Sequence, residues 1–170
     1  MVERQSAVTM RGNPMTLVGP ELKVGEPAPD FKLVGNDLKP ITLAETAGKV
    51  RIVASVPSLD TPVCDLETRR FNEEAGKLPG VEILTVSMDL PFAQKRWCGA
   101  AGVANVRTLS DYQDRAFGPA YGVWVKELFL TSRAVFVLDK NNTLRYVEYV
   151  KEIADQPDFD AALSAAWKLL

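Results

Sequence analysis

The sequence predicts an α/β fold, a central mixed β-sheet flanked by helices with an N-terminal β-hairpin. Three observations predict it. Strand-like and helix-like segments alternate through the middle of the chain, as they do where crossovers join parallel strands. Turn chemistry at Arg11-Gly12-Asn13-Pro14 separates two extended segments near the start. A length of 170 residues suits one well-cored domain and is short for two. One domain is therefore expected over residues 1–170, with its hairpin at about 5–18.

Taken in order, the hairpin pairs Ser6–Met10 with Met15–Val18, and a loop at Gly25–Asp30 leads to a short extended piece, Phe31–Val34. Lys49–Val56 lacks strict apolar alternation, as expected of a strand buried on both faces. Pro62–Lys77 reads as a helix stopped near Leu78-Pro79-Gly80, and Val81–Ser87 as another buried strand. Pro91–Ala101 reads as a helix with Gly102 just past its end. A short strand at Val106–Leu109 and a short helix at Asp111–Phe117 follow. Arg133–Leu138 and Thr143–Val150 are strands joined through Asn141-Asn142, and a final helix runs from about Pro157 to Leu169. The order, a hairpin, then βαβαβα, then ββα, predicts a mostly parallel centre with an antiparallel hairpin at one side. The apolar stretch Tyr121–Leu130 has no clean helical period and reads either as packing against the sheet or as an interface.

Composition narrows the chemistry. The chain is 46% apolar and 25% charged with a net charge of −2, so it is globular and shows no sign of nucleic-acid or anionic-membrane binding. No apolar run reaches the roughly 18–20 residues needed to span a bilayer, and Met1–Thr16 has no signal-peptide core. A cytoplasmic location is expected. There is no histidine, which removes Ser-His-Asp triads, Cys-His dyads and imidazole metal sites. Two cysteines cannot make a four-thiolate zinc site, and no glycine-rich nucleotide motif is present.

The remaining candidate chemistry is thiol chemistry. Pro57-Ser58-Leu59-Asp60-Thr61-Pro62-Val63-Cys64 connects a strand to a helix. With Thr61 as N-cap and Pro62 at the first helical position, Cys64 falls at the third, where unpaired N–H groups and the helix dipole favour an anion. An ordinary thiol, with a pKa of about 8.5, is only about 3% ionised at neutral pH, so such a position favours reactivity. Without histidine the supporting charge must be a cation from elsewhere. Arg133, alone at the head of an apolar strand, and Arg69 and Arg70, downstream on the same helix, are the candidates. The plainer readings are a buried apolar Cys64 and a strand-end Arg133 reaching to water. Cys98, late in its helix beside Trp97, reads as a packed thiol, a structural disulfide partner or a redox partner.

Pro57-x-x-x-Thr61-x-x-Cys64 resembles the signature of peroxiredoxins. The full octapeptide, Cys98-Gly-Ala-Ala-Gly, Asn105-Val-Arg-Thr-Leu-Ser-Asp, Phe117-Gly-Pro-Ala-Tyr-Gly-Val and Arg133-Ala-Val-Phe-Val-Leu-Asp resemble the bacterial thiol peroxidase branch, over nearly the whole chain. The resemblance implies a thioredoxin-like fold. It implies that Cys64 is the peroxidatic thiolate and Cys98 the resolving cysteine, joined in an intramolecular disulfide that thioredoxin reduces. It further implies that Thr61 hydrogen-bonds thiolate and peroxide, that Pro57 shields the thiolate from water, and that Arg133 stabilises its charge. Hydroperoxides, with organic ones preferred to hydrogen peroxide, are the implied substrates. No resident cofactor is implied, and a homodimer formed through the Tyr121–Leu130 side is. A redox-switched binding protein using the same disulfide is the alternative, as is a one-cysteine cycle without Cys98. Because both cysteines lie on predicted helices, disulfide formation is expected to need local unwinding, since Cα atoms more than about 7 Å apart cannot be bridged.

Overall fold

A computed structural model describes all residues, 1–170. The hairpin is β1 (Glu3–Met10) and β2 (Asn13–Val18). A second, short hairpin, β3 (Lys32–Val34) and β4 (Pro40–Thr42), leads into α1 (Leu43–Thr46). The middle of the chain is β5 (Val50–Ser55), α2 (Pro62–Ala75), β6 (Val81–Ser87), α3 (Pro91–Ala101), β7 (Val106–Ser110) and α4 (Phe117–Ala120). Two very short strands, β8 (Trp124–Val125) and β9 (Leu130–Thr131), precede β10 (Ala134–Leu138), β11 (Leu144–Tyr149) and α5 (Phe159–Trp167).

The central sheet has seven strands in the order β11-β10-β5-β6-β7-β3-β4. It is mixed, as the alternation and the closing hairpin together predict. Its parallel part is smaller than expected: only β5–β6 and β6–β7 are parallel, and every other neighbour is antiparallel. The reason is the crossover rule. Parallel neighbours need a long connection, and only α2 and α3 supply one between adjacent strands. β5 is buried along its whole length because both faces of the sheet are covered. Ile52 and Ala54 pack with Phe71 of α2 and with Ala162 and Ala166 of α5. Val53 packs on the opposite face with Phe117, Tyr121 and Phe136.

One expectation is corrected and one open reading is narrowed. The helix expected at Asp111–Phe117 instead spans Phe117–Ala120. Asp111 lies outside it and accepts from the N–H groups of Ala116, Phe117 and Gly118 at 3.1, 3.2 and 3.0 Å. The acid satisfies orphan donors at the helix start from a distance, so it marks the helix without belonging to it. Burial pushes the Asp111 carboxyl up, and the three N–H groups oppose the shift. Secondly, Tyr121–Leu130 is mostly packing. Tyr121, Val123 and Val125 are buried, and β8 and β9 extend the N-terminal hairpin into a four-stranded sheet, β1-β2-β8-β9. Among its apolar residues Phe129 alone stays largely exposed, at 67%.

That second sheet is fastened tightly to the body. A Cβ on Gly19 would lie 2.0 Å from the Pro119 carbonyl oxygen, and one on Gly122 would lie 1.9 Å from that of Pro20. Both have positive φ, +112° and +65°, so only glycine fits both the space and the backbone. The hairpin turn is held by Glu152, which accepts from Thr9 Oγ1 at 2.6 Å, Arg11 N at 2.8 Å, Gly12 N at 3.0 Å and Ala154 N at 3.1 Å. The Thr9 hydroxyl first, then the N–H groups, hold its carboxyl down at about 2 against an ordinary 4.5. The stabilisation is therefore complete above pH 4.5 and is lost as pH falls through 2. Glu152→Gln is expected to lower the melting temperature at pH 6, with the gap from the unmodified chain closing towards pH 2. A gap constant across that range would rule out this linkage.

Candidate active site

β5 carries the chain into the site. After Ser55 the buried Val56 and Pro57 continue into a turn, and α2 starts at Pro62. Asp89, just past β6, anchors this turn by accepting from Ser58 Oγ at 2.7 Å and Leu59 N at 2.8 Å. Proline at the first helical position costs no hydrogen bond, because that N–H has no intrahelical partner in any helix. Cys64 is the third residue of α2 and is fully buried, in a small apolar cluster with Val56 and Leu59 against which Trp97 packs.

The antiparallel register of β10 on β5 pairs Ala134 with Ser55, so Arg133 is delivered beside the end of β5, where the Cys64 turn begins. Arg133 is 1% exposed. Each of its three nitrogens makes a hydrogen bond: Nε donates to Ile153 O at 2.9 Å, Nη2 to Cys64 Sγ at 3.1 Å, and Nη1 to Glu67 Oε2 in a buried ion pair. Burial works against the guanidinium charge, but Glu67 and then the Cys64 sulfur outweigh it and hold the group above its usual range. Glu67 is pushed up to about 7 by burial, with Arg133 opposing the shift. Arg69 and Arg70, the other cations considered, are half-exposed and pair elsewhere, Arg69 with Asp65 and Arg70 with Glu74.

Thr61 is the N-cap residue by position, but its hydroxyl makes no capping bond. It donates instead to Ser58 O at 2.9 Å, which corrects the expected capping role. The turn that Asp89 holds puts that carbonyl within reach and competes with the helix N–H groups. Cys98 lies apart from the Cys64–Arg133 pair and both thiols are free. Its Sγ is 3.3 Å from Thr108 Oγ1, which itself donates to Asn36 Oδ1 at 3.0 Å. It is half-buried and lines a cavity of 370 Å³ with Asn36, Ile41 and Val103. The two cysteine helices are tied together by Trp97. Its Nε1 donates to Asp65 Oδ1 at 2.9 Å, and Arg69 lies over its ring at 5.9 Å.

The sequence reading missed Glu67, although a signal existed. Cys64, Glu67, Thr68 and Phe71 are the buried residues of α2 and follow the spacing of one helix face. An acid on that stripe has to meet a cation inside the protein. It also missed Asp89 as the anchor of the turn.

A family model described as Redoxin matches residues 23–163. The chain belongs to the redoxin family. A thiol peroxidase of Halalkalibacterium halodurans is 56% identical over 161 residues, covering 95% of this redoxin and 97% of the relative. One of Bacillus subtilis is 53% identical over 163 residues, covering 96% and 98%. Among solved structures, a peroxiredoxin-like protein from Aquifex aeolicus superposes with a TM-score of 0.91 at 42% identity, over 98% of this chain and 99% of that one. The redoxin thus has a thioredoxin-like peroxiredoxin fold, and it is a peroxiredoxin-type enzyme. None of its helices is long and apolar enough to cross a membrane. It contains no cluster of three or more acidic, cysteine or histidine side chains placed to hold a metal.

Proposed function

We propose that this redoxin is a thiol-dependent peroxidase that reduces hydroperoxides through Cys64. The observation that carries the reading is the Arg133 guanidinium 3.1 Å from the Cys64 sulfur, in the first turn of α2. A buried thiolate is viable only with such a partner, and the same donor can stabilise charge building on peroxide oxygen. The Cys64 thiolate attacks the terminal peroxide oxygen. An S–O bond forms, the O–O bond breaks, and the alcohol or water leaves after taking a proton, so Cys64 becomes a sulfenic acid. Cys98 then attacks that sulfur, water leaves, and a Cys64–Cys98 disulfide remains. Thioredoxin returns two electrons and two protons. Pro57, buried at the turn, keeps water from the thiolate, and the Thr61 hydroxyl turns from Ser58 towards the peroxide. The names of the thiol peroxidase relatives support this reading.

The free thiols fit a reducing cytoplasm. The exposed Phe129 and half-buried Trp124 are what the Tyr121–Leu130 side offers to a second copy in a homodimer. The test is NADPH consumption through thioredoxin reductase and thioredoxin, with Cys64→Ser as the blank. Sustained, peroxide-dependent turnover is expected, faster on cumene hydroperoxide than on hydrogen peroxide. Oxidation without turnover, together with a partner bound only by the disulfide form, would establish the switch instead.

A further inference from the structure

One buried guanidinium here faces two groups that can each become an anion. Arg133 Nη2 reaches Cys64 Sγ and Nη1 reaches Glu67 Oε2. Cys64, Glu67 and Arg133 are between 0% and 1% exposed, so water screens none of them. Only one of the two carboxylate oxygens is compensated, since Glu67 Oε1 has no hydrogen-bond partner. An ionised carboxylate with a bare buried oxygen is costly, and two anions on one cation in a dry site are more costly still. The other charge acting on Glu67 is repulsive and comes from Glu148 on β11.

We propose that Glu67 is a positioning residue that exchanges a single negative charge with Cys64 around Arg133, so that Glu67 is a neutral acid while Cys64 is a thiolate and a carboxylate once Cys64 is neutral. The burial that pushes Glu67 up to about 7 supports this. The inference rests on the proposed thiolate role of Cys64. In the peroxide step the accounts balance. Thiolate, hydroperoxide and protonated Glu67 become sulfenic acid, alcohol and ionised Glu67. The proton that Glu67 loses balances the one the leaving oxygen takes. The cluster is neutral before and after: thiolate, guanidinium and acid on one side, sulfenic acid, guanidinium and carboxylate on the other. A buried site that keeps its charge constant avoids a desolvation penalty on each turn.

Titration of Glu67 by ¹³C NMR in chains with labelled glutamate side-chain carboxyls, assigned with Glu67→Gln, tests the exchange. In Cys64→Ser, where position 64 is never charged, Glu67 is expected to ionise about one unit or more lower in pH than in the reduced unmodified chain. The coupling shows at the midpoint of whichever group ionises second. The pH profile of Cys64 alkylation by iodoacetamide, measured in Cys98→Ser, is therefore expected to stay in place when Glu67→Gln is added, because the acid being replaced is already neutral while the thiolate forms. A Glu67 titration unchanged in Cys64→Ser overturns the proposal, and so does an alkylation profile that moves down with Glu67→Gln, since Glu67 would then ionise before Cys64. The second measurement stands if Cys64→Ser misfolds. Neither uses peroxide, so the exchange can fail while the peroxidase reading holds, and the reverse.

Discussion

Replacing Arg133 by Gln, in a chain that already carries Glu67→Gln, slows the reaction of Cys64 with cumene hydroperoxide by about 10²–10³-fold. That is the usual cost of losing one preorganised donor aimed at developing charge, about 2.7–4 kcal/mol. Arg133 fits that description because its Nε–Ile153 bond fixes the guanidinium before any substrate arrives. The background substitution matters. Removing Arg133 alone would strand Glu67 in the core, and breaking a buried pair costs about 3–5 kcal/mol of stability. A slow rate would then report misfolding. Quenched-flow mass spectrometry of the sulfenic acid, against Glu67→Gln alone, gives the comparison. Rates within a few-fold of each other would remove Arg133 from the chemistry. Arg133→Lys is expected to fall well short of Arg133 too, since a point charge cannot serve Ile153, Glu67 and Cys64 together.

The second large effect concerns Cys98. In Cys98→Ser the first oxidation of Cys64 proceeds, one peroxide is consumed per chain, and turnover with thioredoxin then stops. Cys98 is the only other thiol, it is free, and it lies on the helix that Trp97 ties to α2. Continued turnover of Cys98→Ser at an undiminished rate would establish the one-cysteine cycle. Each thiol sits in its own network, Cys64 with Arg133 and Cys98 with Thr108, so disulfide formation is expected to break these contacts and to loosen at least one helix. Amide exchange near Cys64 or Cys98 is accordingly expected to differ between the reduced and oxidised chains.

Much of this molecule is legible in the sequence because its local signals agree with its packing. Pro62 at the first turn of α2, Gly102 in the left-handed conformation after α3, and the unalternating strand β5 each declare their element without tertiary help. Signals that depend on partners are the ones that mislead. Asp111 looks like the start of a helix but caps one that begins six residues later. β8 and β9 are two residues long and exist only because β2 offers β8 an edge and β8 in turn offers one to β9, so no periodicity could reveal them. Thr61 has the identity of a capping residue, yet its hydroxyl answers to the Ser58 carbonyl that Asp89 brings close. Glu67 could be placed on a buried face by spacing alone, but its partner depends on the register of β10 against β5.

The bracket that Asp65 and Arg69 form around the Trp97 indole has an optical consequence. The other two tryptophans sit elsewhere, Trp124 in the hairpin sheet and Trp167 at the exposed end of α5. Trp97 alone stands at the joint between the two cysteine helices, with its polarity set by a carboxylate and a guanidinium from the opposite one. Parting those helices strips both from the ring at once. The emission of this native fluorophore is therefore expected to change when a Cys64–Cys98 disulfide forms, although the residue takes no part in the chemistry.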